Sequence, residues 1–227
     1  METPALHSPT VEEVMQAWSS QNAGVPRRQM EFSVRFQVQA IRALAEGQAV
    51  SAQRLAVDLG LPVEEVEAII EQLGSSGVEV DEEGRLVGVV LTLHPTPHHF
   101  RVKGNDLYAW CALDTLFLPA YLEETAQVES TCPVTGEIIR LTITPMGVAQ
   151  YHPDSTVVSL VDPSIVSCCS TRGPQSAVCS QMHFFRSREA AETWQIDHPG
   201  VVICTVEQAY RVAQRSIDLM SAFDPIA

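Results

Sequence analysis

Lysine is almost missing from this chain of 227 residues: Lys103 stands alone. Lys and Arg together number 14 against 28 Asp and Glu, a formal charge of −14 at pH 7. Both halves are acidic, with 6 basic and 14 acidic residues up to residue 100, and 8 and 14 after it. Such a field repels phosphate backbones and anionic lipid, because nucleic-acid binding draws chiefly on Lys and Arg neutralising phosphates. Neither nucleic acid nor a membrane is expected as a partner. The scarcity of lysine also removes most Schiff-base and P-loop chemistry, and no glycine-rich phosphate loop is present. Long apolar runs are missing too: stretches such as Val87 to Leu91, itself interrupted by Gly88, fall far short of the roughly 20 residues a membrane helix needs. Residues 1–25 hold no Lys or Arg and no apolar run, whereas a secretory leader needs both, so a cytoplasmic location is expected. No Cys-x-x-Cys pair occurs, which excludes the usual zinc-ribbon and thioredoxin spacings. The six cysteines, Cys111, Cys132, Cys168, Cys169, Cys179 and Cys204, are then thiols and not a disulfide framework. They are either buried structural groups or parts of a site assembled from distant segments.

What is present reads as globular. Hydrophobic residues make up 45% and charged ones 19%, with 12 Gly and 14 Pro spread without a biased tract. Residues 1–32 form a polar, Pro-containing arm around a short helix, Val11 to Trp18. From Ser33, Val34, Val38, Ile41, Leu44 and Ala45 recur at helical spacing until Gly47. Ser51 stands where an N-cap belongs, Leu55 and Leu59 follow, Gly60 turns, and Pro62 opens a helix burying Val63, Val66, Ile69, Ile70 and Leu73 up to Gly74. Val78 to Val80, an Asp81-Glu82-Glu83-Gly84 turn and an apolar strand Leu86 to Leu93 complete the order of a winged helix-turn-helix over residues 33–97. Its would-be reading helix carries Glu64, Glu65, Glu67 and Glu71 and no basic residue, so the module is expected to be structural and not a DNA reader.

Past Pro95 and Pro97, residues 98–227 form a second region. Strands are expected near Phe100 to Val102, Glu137 to Ile143, Val157 to Val161 and Val201 to Cys204. A very apolar helix is expected from Leu107 to Leu118, closed by Pro119. Further helices follow near Ser187 to Trp194 and from Thr205, where Thr205 and Gln208 fit a capping box. The fold class is therefore α+β: an N-terminal winged-helix-like helical module, then a mixed or antiparallel sheet region with flanking helices.

Two segments could carry chemistry. In Leu107-Tyr108-Ala109-Trp110-Cys111-Ala112-Leu113-Asp114-Thr115, the carboxylate Asp114 interrupts an apolar run, and burying it without a partner is costly. Cys111 lies three residues before it. Either a bound soft cation or a shared proton makes the pair favourable, or Asp114 simply caps a neighbouring segment. The second segment is Val178-Cys179-Ser180-Gln181-Met182-His183-Phe184-Phe185. It reads as a strand with a core thiol, or as part of a zinc site in which His183 and Cys179 join Cys132 and Cys169. Cys132, in the turn Thr131 to Gly136, and Cys204, in an apolar strand, read as structural.

Leu107 to Thr115 resembles the signature of the organomercurial (alkylmercury) lyases of bacterial mercury resistance. Met182-His183-Phe184-Phe185 resembles the segment after that family's second catalytic cysteine, and the blocks come in the family's order. The resemblance runs from about Ser33 and includes a winged-helix-like module that is not a DNA reader, and a structural counterpart of Cys132. It implies that Cys111, Asp114 and Cys179 are catalytic and hold mercury transiently, since mercury(II) is soft and prefers thiolates. It further implies protonolysis of the carbon–mercury bond with Asp114 as base and then acid, giving a hydrocarbon and Hg²⁺ on two cysteines. No organic cofactor is implied. Low-molecular-weight thiols or a mercuric reductase are implied as product acceptors. The sequence departs from the family pattern at Ser180, where many members have a second cysteine, and in a longer preceding segment with Cys168-Cys169; Cys169 is the competing candidate for the second ligand. Two further readings stand beside the enzyme: a mercury- or thiol-responsive winged-helix regulator, and a zinc-stabilised binding module using Cys132, Cys169, Cys179 and His183.

Overall fold

A computed structural model describes residues 10–20, 24–74, 77–161, 178–198 and 200–223. Four helices come first: α1 (Val11–Ser20), α2 (Arg27–Leu44), α3 (Ala52–Leu59) and α4 (Val63–Leu73). Strands β1 (Glu79–Val80), β2 (Leu86–Val89), β3 (Leu91–Thr92), β4 (His98–Val102) and β5 (Asn105–Ala109) lead to α5 (Ala112–Leu122). Next come β6 (Ala126–Thr131), β7 (Ile138–Thr144), β8 (Gly147–His152) and β9 (Val157–Val161). A 3₁₀ turn at Cys179–Gln181, β10 (Phe184–Phe185), α6 (Arg188–Gln195), β11 (Val201–Thr205) and α7 (Val206–Phe223) complete the chain.

The fold is α+β, with one eight-stranded sheet in the order β1-β2-β3-β5-β4-β6-β7-β8 and one three-stranded sheet in the order β10-β9-β11. Every described strand pair is antiparallel, so the sheets are not mixed. β6 alternates buried and exposed residues, as a sheet with one solvated face requires, whereas β9 is buried throughout as the middle strand of the small sheet.

Local chemistry explains the helix limits in the first module. The Ser51 hydroxyl accepts the Arg54 N–H at the start of α3, and Gly60 ends that helix at φ 69°, where a side chain is disfavoured. α1 does not stand apart: Val14 is buried, and the Trp18 indole donates to the Val161 carbonyl at 3.1 Å. Among the described residues no helix is long and apolar enough to cross a membrane.

Three expected elements differ: the helix expected from Ser33 begins at Arg27, and two others depart further. The strand Leu86 to Leu93 folds back on itself at Val90, so that Val89 pairs with Leu91; Val90 takes φ 63°, a strained value for a β-branched residue. The helix expected from Leu107 to Leu118 is instead a strand, β5, followed by a helix that begins only at Ala112 and runs through Pro119 to Leu122. An apolar run of this kind carries no periodicity that separates strand from helix. The boundary is set at Cys111, whose extended backbone (φ −148°, ψ 172°) makes it the N-cap.

All eleven residues of α5 are buried. A helix apolar on every side is one enclosed by neighbours, and α5 lies among α2, α7 and strands β4 to β7. Its last turn is tied down by Arg42, which donates to the Tyr121 carbonyl at 3.2 Å. The N-terminus of α5 is thereby fixed deep inside the molecule.

Candidate active site

Cys111 and Asp114 close the first turn of α5 with a capping box. The Asp114 carboxylate accepts the Cys111 N–H at 2.9 Å, and the Cys111 sulfur accepts the Asp114 N–H. The spacing is that of the Ser/Thr-x-x-Glu box, with a thiol in place of the hydroxyl. The two readings of Asp114 thus coincide: it caps the helix, and it stands against the thiol. An anionic group here also faces the positive end of the helix dipole.

The second segment arrives from the small sheet. The 3₁₀ turn holds Cys179, closed by Gln181 N–H to Val178 O (3.1 Å) and Met182 N–H to Cys179 O (3.2 Å). The carbonyl of Met182 then accepts the Ala112 N–H at 3.0 Å, so one of the otherwise unpaired first amides of α5 is satisfied by the chain that carries Cys179. As a result the ligand atoms of Cys111, Asp114 and Cys179 all lie within 4.8 Å of one another. Among the described residues this is the one group of three His, Cys, Asp or Glu side chains close enough to hold a single ion. Cys132 and His183 are not in it, and Cys168 and Cys169 lie outside the described residues. Cys204 is buried in β11.

The electrostatics follow from burial. Cys111 is fully enclosed and Asp114 is 7% exposed, while Cys179 is only partly covered. Burial, the hydrogen bond with Cys179 and the nearby Asp114 charge push the Cys111 thiol well above its ordinary pKa, partly offset by the Asp114 N–H. Burial raises the Asp114 carboxyl to about 7, against the opposing effect of its hydrogen bonds with Cys111. Both shifts favour the protonated forms of Cys111 and Asp114 within this cluster of two sulfurs and one carboxyl. Of the apolar residues near the site in sequence, Trp110, Leu113, Phe184 and Phe185 are all buried, and the Trp110 indole N–H has no partner among the described residues.

His183 is not a core strand residue as its context suggests. Its Nε2–H donates to the Ser180 carbonyl at 2.9 Å, while Nδ1 is buried without a partner among the described residues. Behind it lies fully buried His98, bonded through Nδ1 to the Ser130 hydroxyl at 2.6 Å and held neutral by burial, with its pKa lowered to about 3. Sequence reasoning missed His98 and also Ser159, whose buried hydroxyl touches the segment of Cys179. For Ser159 no local signal exists, because the partner lies more than twenty residues away.

The chain is similar to several known proteins. The profile of the alkylmercury lyase (MerB) family matches residues 91–218. The alkylmercury lyase of Bacillus cereus is 45% identical over 174 residues, 77% of each chain. That of Pseudomonas putida is 40% identical over 180 residues, 79% of this chain and 81% of the relative. The crystal structure of the mercury-bound form of MerB2 superposes with a TM-score of 0.69 at 27% identity, covering 92% of this chain and all of that one. On the strength of the sequence match and the shared fold together, this chain belongs to the alkylmercury lyase family.

Proposed function

We propose that the chain cleaves the carbon–mercury bond of alkyl- and arylmercury compounds by protonolysis, as an enzyme of mercury detoxification, with Cys111, Asp114 and Cys179 as its catalytic residues. The observation that carries this reading is the meeting of two thiols and a protonatable carboxyl within 4.8 Å, with Cys111 and Asp114 buried and Cys179 partly covered. Cys179, the more accessible thiol, takes R–Hg⁺ first, and its proton leaves with the displaced ligand. The Cys111 thiol then adds to mercury as its proton passes to the Asp114 carboxylate. Two thiolates on mercury raise the electron density at carbon, and Asp114 returns that proton to it as the carbon–mercury bond breaks. The balance is one hydrocarbon R–H, and Hg²⁺ on the sulfurs of Cys111 and Cys179, with Asp114 ionised beside them. Apolar surroundings suit a lipophilic R group and keep water from the developing carbanion.

Several parts of the reading rest on chemistry alone. Hg²⁺ bound by two thiolates leaves by exchange onto low-molecular-weight thiols or the thiols of a mercuric reductase, because sulfur is the ligand it prefers. No organic cofactor takes part, since the three side chains account for every bond and proton. The winged-helix-like module takes in α2, which begins at Arg27 and so crosses the expected boundary at residue 32, then α3, α4 and the β1–β2 hairpin, in the order such a module has. In the module Glu64, Glu65, Glu67 and Glu71 are all exposed, which speaks against a nucleic-acid partner. Residues 98–227 form the catalytic region, and a cytoplasmic setting suits reduced thiols.

The test is turnover of phenylmercury and methylmercury with excess free thiol, following benzene, methane and inorganic Hg²⁺. The parent is expected to release hydrocarbon, and Cys111→Ser and Cys179→Ser are expected not to. Tight mercury binding by the parent with no hydrocarbon formed contradicts the reading.

A further inference from the structure

The turn that carries Cys179 is short: three residues of 3₁₀ helix followed, two residues on, by a two-residue strand. Ser159, on β9, ties its end to the small sheet. The β9–β10 ladder pairs Phe185 with Val157 and Phe184 with Val158, and at the next position the Ser159 N–H still donates to the His183 carbonyl at 3.0 Å. There the side chain takes over from the backbone. The His183 N–H donates to the Ser159 hydroxyl at 2.9 Å, and the hydroxyl donates in turn to the Gln181 carbonyl at 2.7 Å. Ser159 is completely buried, so both bonds are made away from water. Between these two anchor points lies Met182, whose carbonyl accepts the first amide of α5. One hydroxyl thus bonds the backbone on both sides of Met182, where the ladder ends, the chain turns toward Cys179 and the turn meets the helix end that presents Cys111. The His183 ring adds a second brace through the Ser180 carbonyl.

We infer that Ser159 is a positioning residue for the reaction: its hydroxyl clamps the Gln181 and His183 backbone and so holds the sulfur of Cys179 against that of Cys111. The inference rests on the lyase reading of the site. Without the clamp Cys179 still captures R–Hg⁺, but mercury reaches Cys111 in poor geometry. The loss therefore falls on the chemical step and on retention of the product, not on capture. Displacing a reacting group by about 1 Å costs on the order of 100-fold in rate.

The test compares parent, Ser159→Ala, Ser159→Thr and Ser159→Val, with rates normalised to folded protein by titration of reactive thiols. Thr and Val have the same shape and differ in the hydroxyl, so their comparison isolates the clamp from packing. Ala and Val are expected to lower kcat for phenylmercury by roughly 10- to 100-fold with KM changed by less than about 3-fold, and Thr to recover most of the rate. Equal kcat for Thr and Val, or parent kcat for Ala, overturns the inference; Ala, one atom smaller than Ser, decides it alone if the branched side chains fail to pack. A second arm measures Hg²⁺ lost from the protein to a competing dithiol. Ala and Val are expected to lose it faster than parent and Thr, and equal loss from all four overturns the clamp. If the parent itself releases no benzene, it is the lyase reading that fails, and the Hg²⁺ arm alone then judges the clamp.

Discussion

In the proposed reaction Asp114 is two things, a helix cap and a proton carrier. As a cap it accepts the Cys111 N–H at 2.9 Å; as a carrier its pKa of about 7 lets it take and return a proton near neutrality. That raised pKa carries a stability cost with a definite sign. The folded value lies above the ordinary 3.8, so the folded state favours the protonated acid. Its stabilising contribution is complete below about pH 4 and is lost as pH rises through 7. Asn keeps the acceptor oxygen for the Cys111 N–H and cannot ionise. Asp114→Asn is therefore expected to gain stability over the parent as pH goes from 5 to 8, by about 2 kcal/mol. Thermal unfolding of both proteins at the two pH values checks this, and a difference that does not grow with pH contradicts a buried, raised carboxyl. The cysteines at this scale divide by exposure: Cys179 is reachable, Cys111 is not.

At the scale of elements, His98 on β4 supplies a second pH prediction of opposite sense. Its folded pKa is about 3, against 6.5 when exposed, through burial first and the neighbouring His183 second. The stability from keeping it neutral is present above pH 6.5 and lost as pH falls from there toward 3. His98→Asn, which retains an acceptor or donor for Ser130, is expected to flatten the fall in melting temperature between pH 6.5 and 4 relative to the parent; parallel curves refute it. The elements also show what the sequence makes legible. Ser51, Gly60 and Pro62 mark α3 and α4 closely because caps and breakers act within a few residues. Thr205 and Gln208 do the same for α7, whose box forms as its residues require. The segment Leu107 to Thr115 misleads, since residues buried on every side lose the periodicity that tells strand from helix. The Cys111-x-x-Asp114 spacing itself is the missed signal for where α5 starts. The clamp at Ser159 depends on partners more than twenty residues along the chain and leaves no local trace.

For the whole molecule, the large sheet runs without a break from the first module into the catalytic region: β3 pairs with β5, and α2 packs against α5. α1 reaches across to Val161 at the end of β9. Parts joined through a shared sheet are expected to unfold together, so urea unfolding followed by far-ultraviolet circular dichroism and by tryptophan fluorescence should give one coincident transition. Two separated transitions contradict this. Residues more than sixty positions apart, Cys111 and Cys179, are brought to a few ångströms because Cys111 follows β5 of the large sheet, Cys179 precedes β10 of the small one, and the Ala112 amide on the Met182 carbonyl joins the two segments. Whether Asp114 hands a proton to carbon at this junction is decided by a single turnover of phenylmercury without free thiol, counting benzene and bound mercury per protein. One benzene and one retained Hg²⁺ are expected for the parent, and for Asp114→Asn bound phenylmercury with no benzene. Benzene released by Asp114→Asn at the parent rate contradicts that transfer.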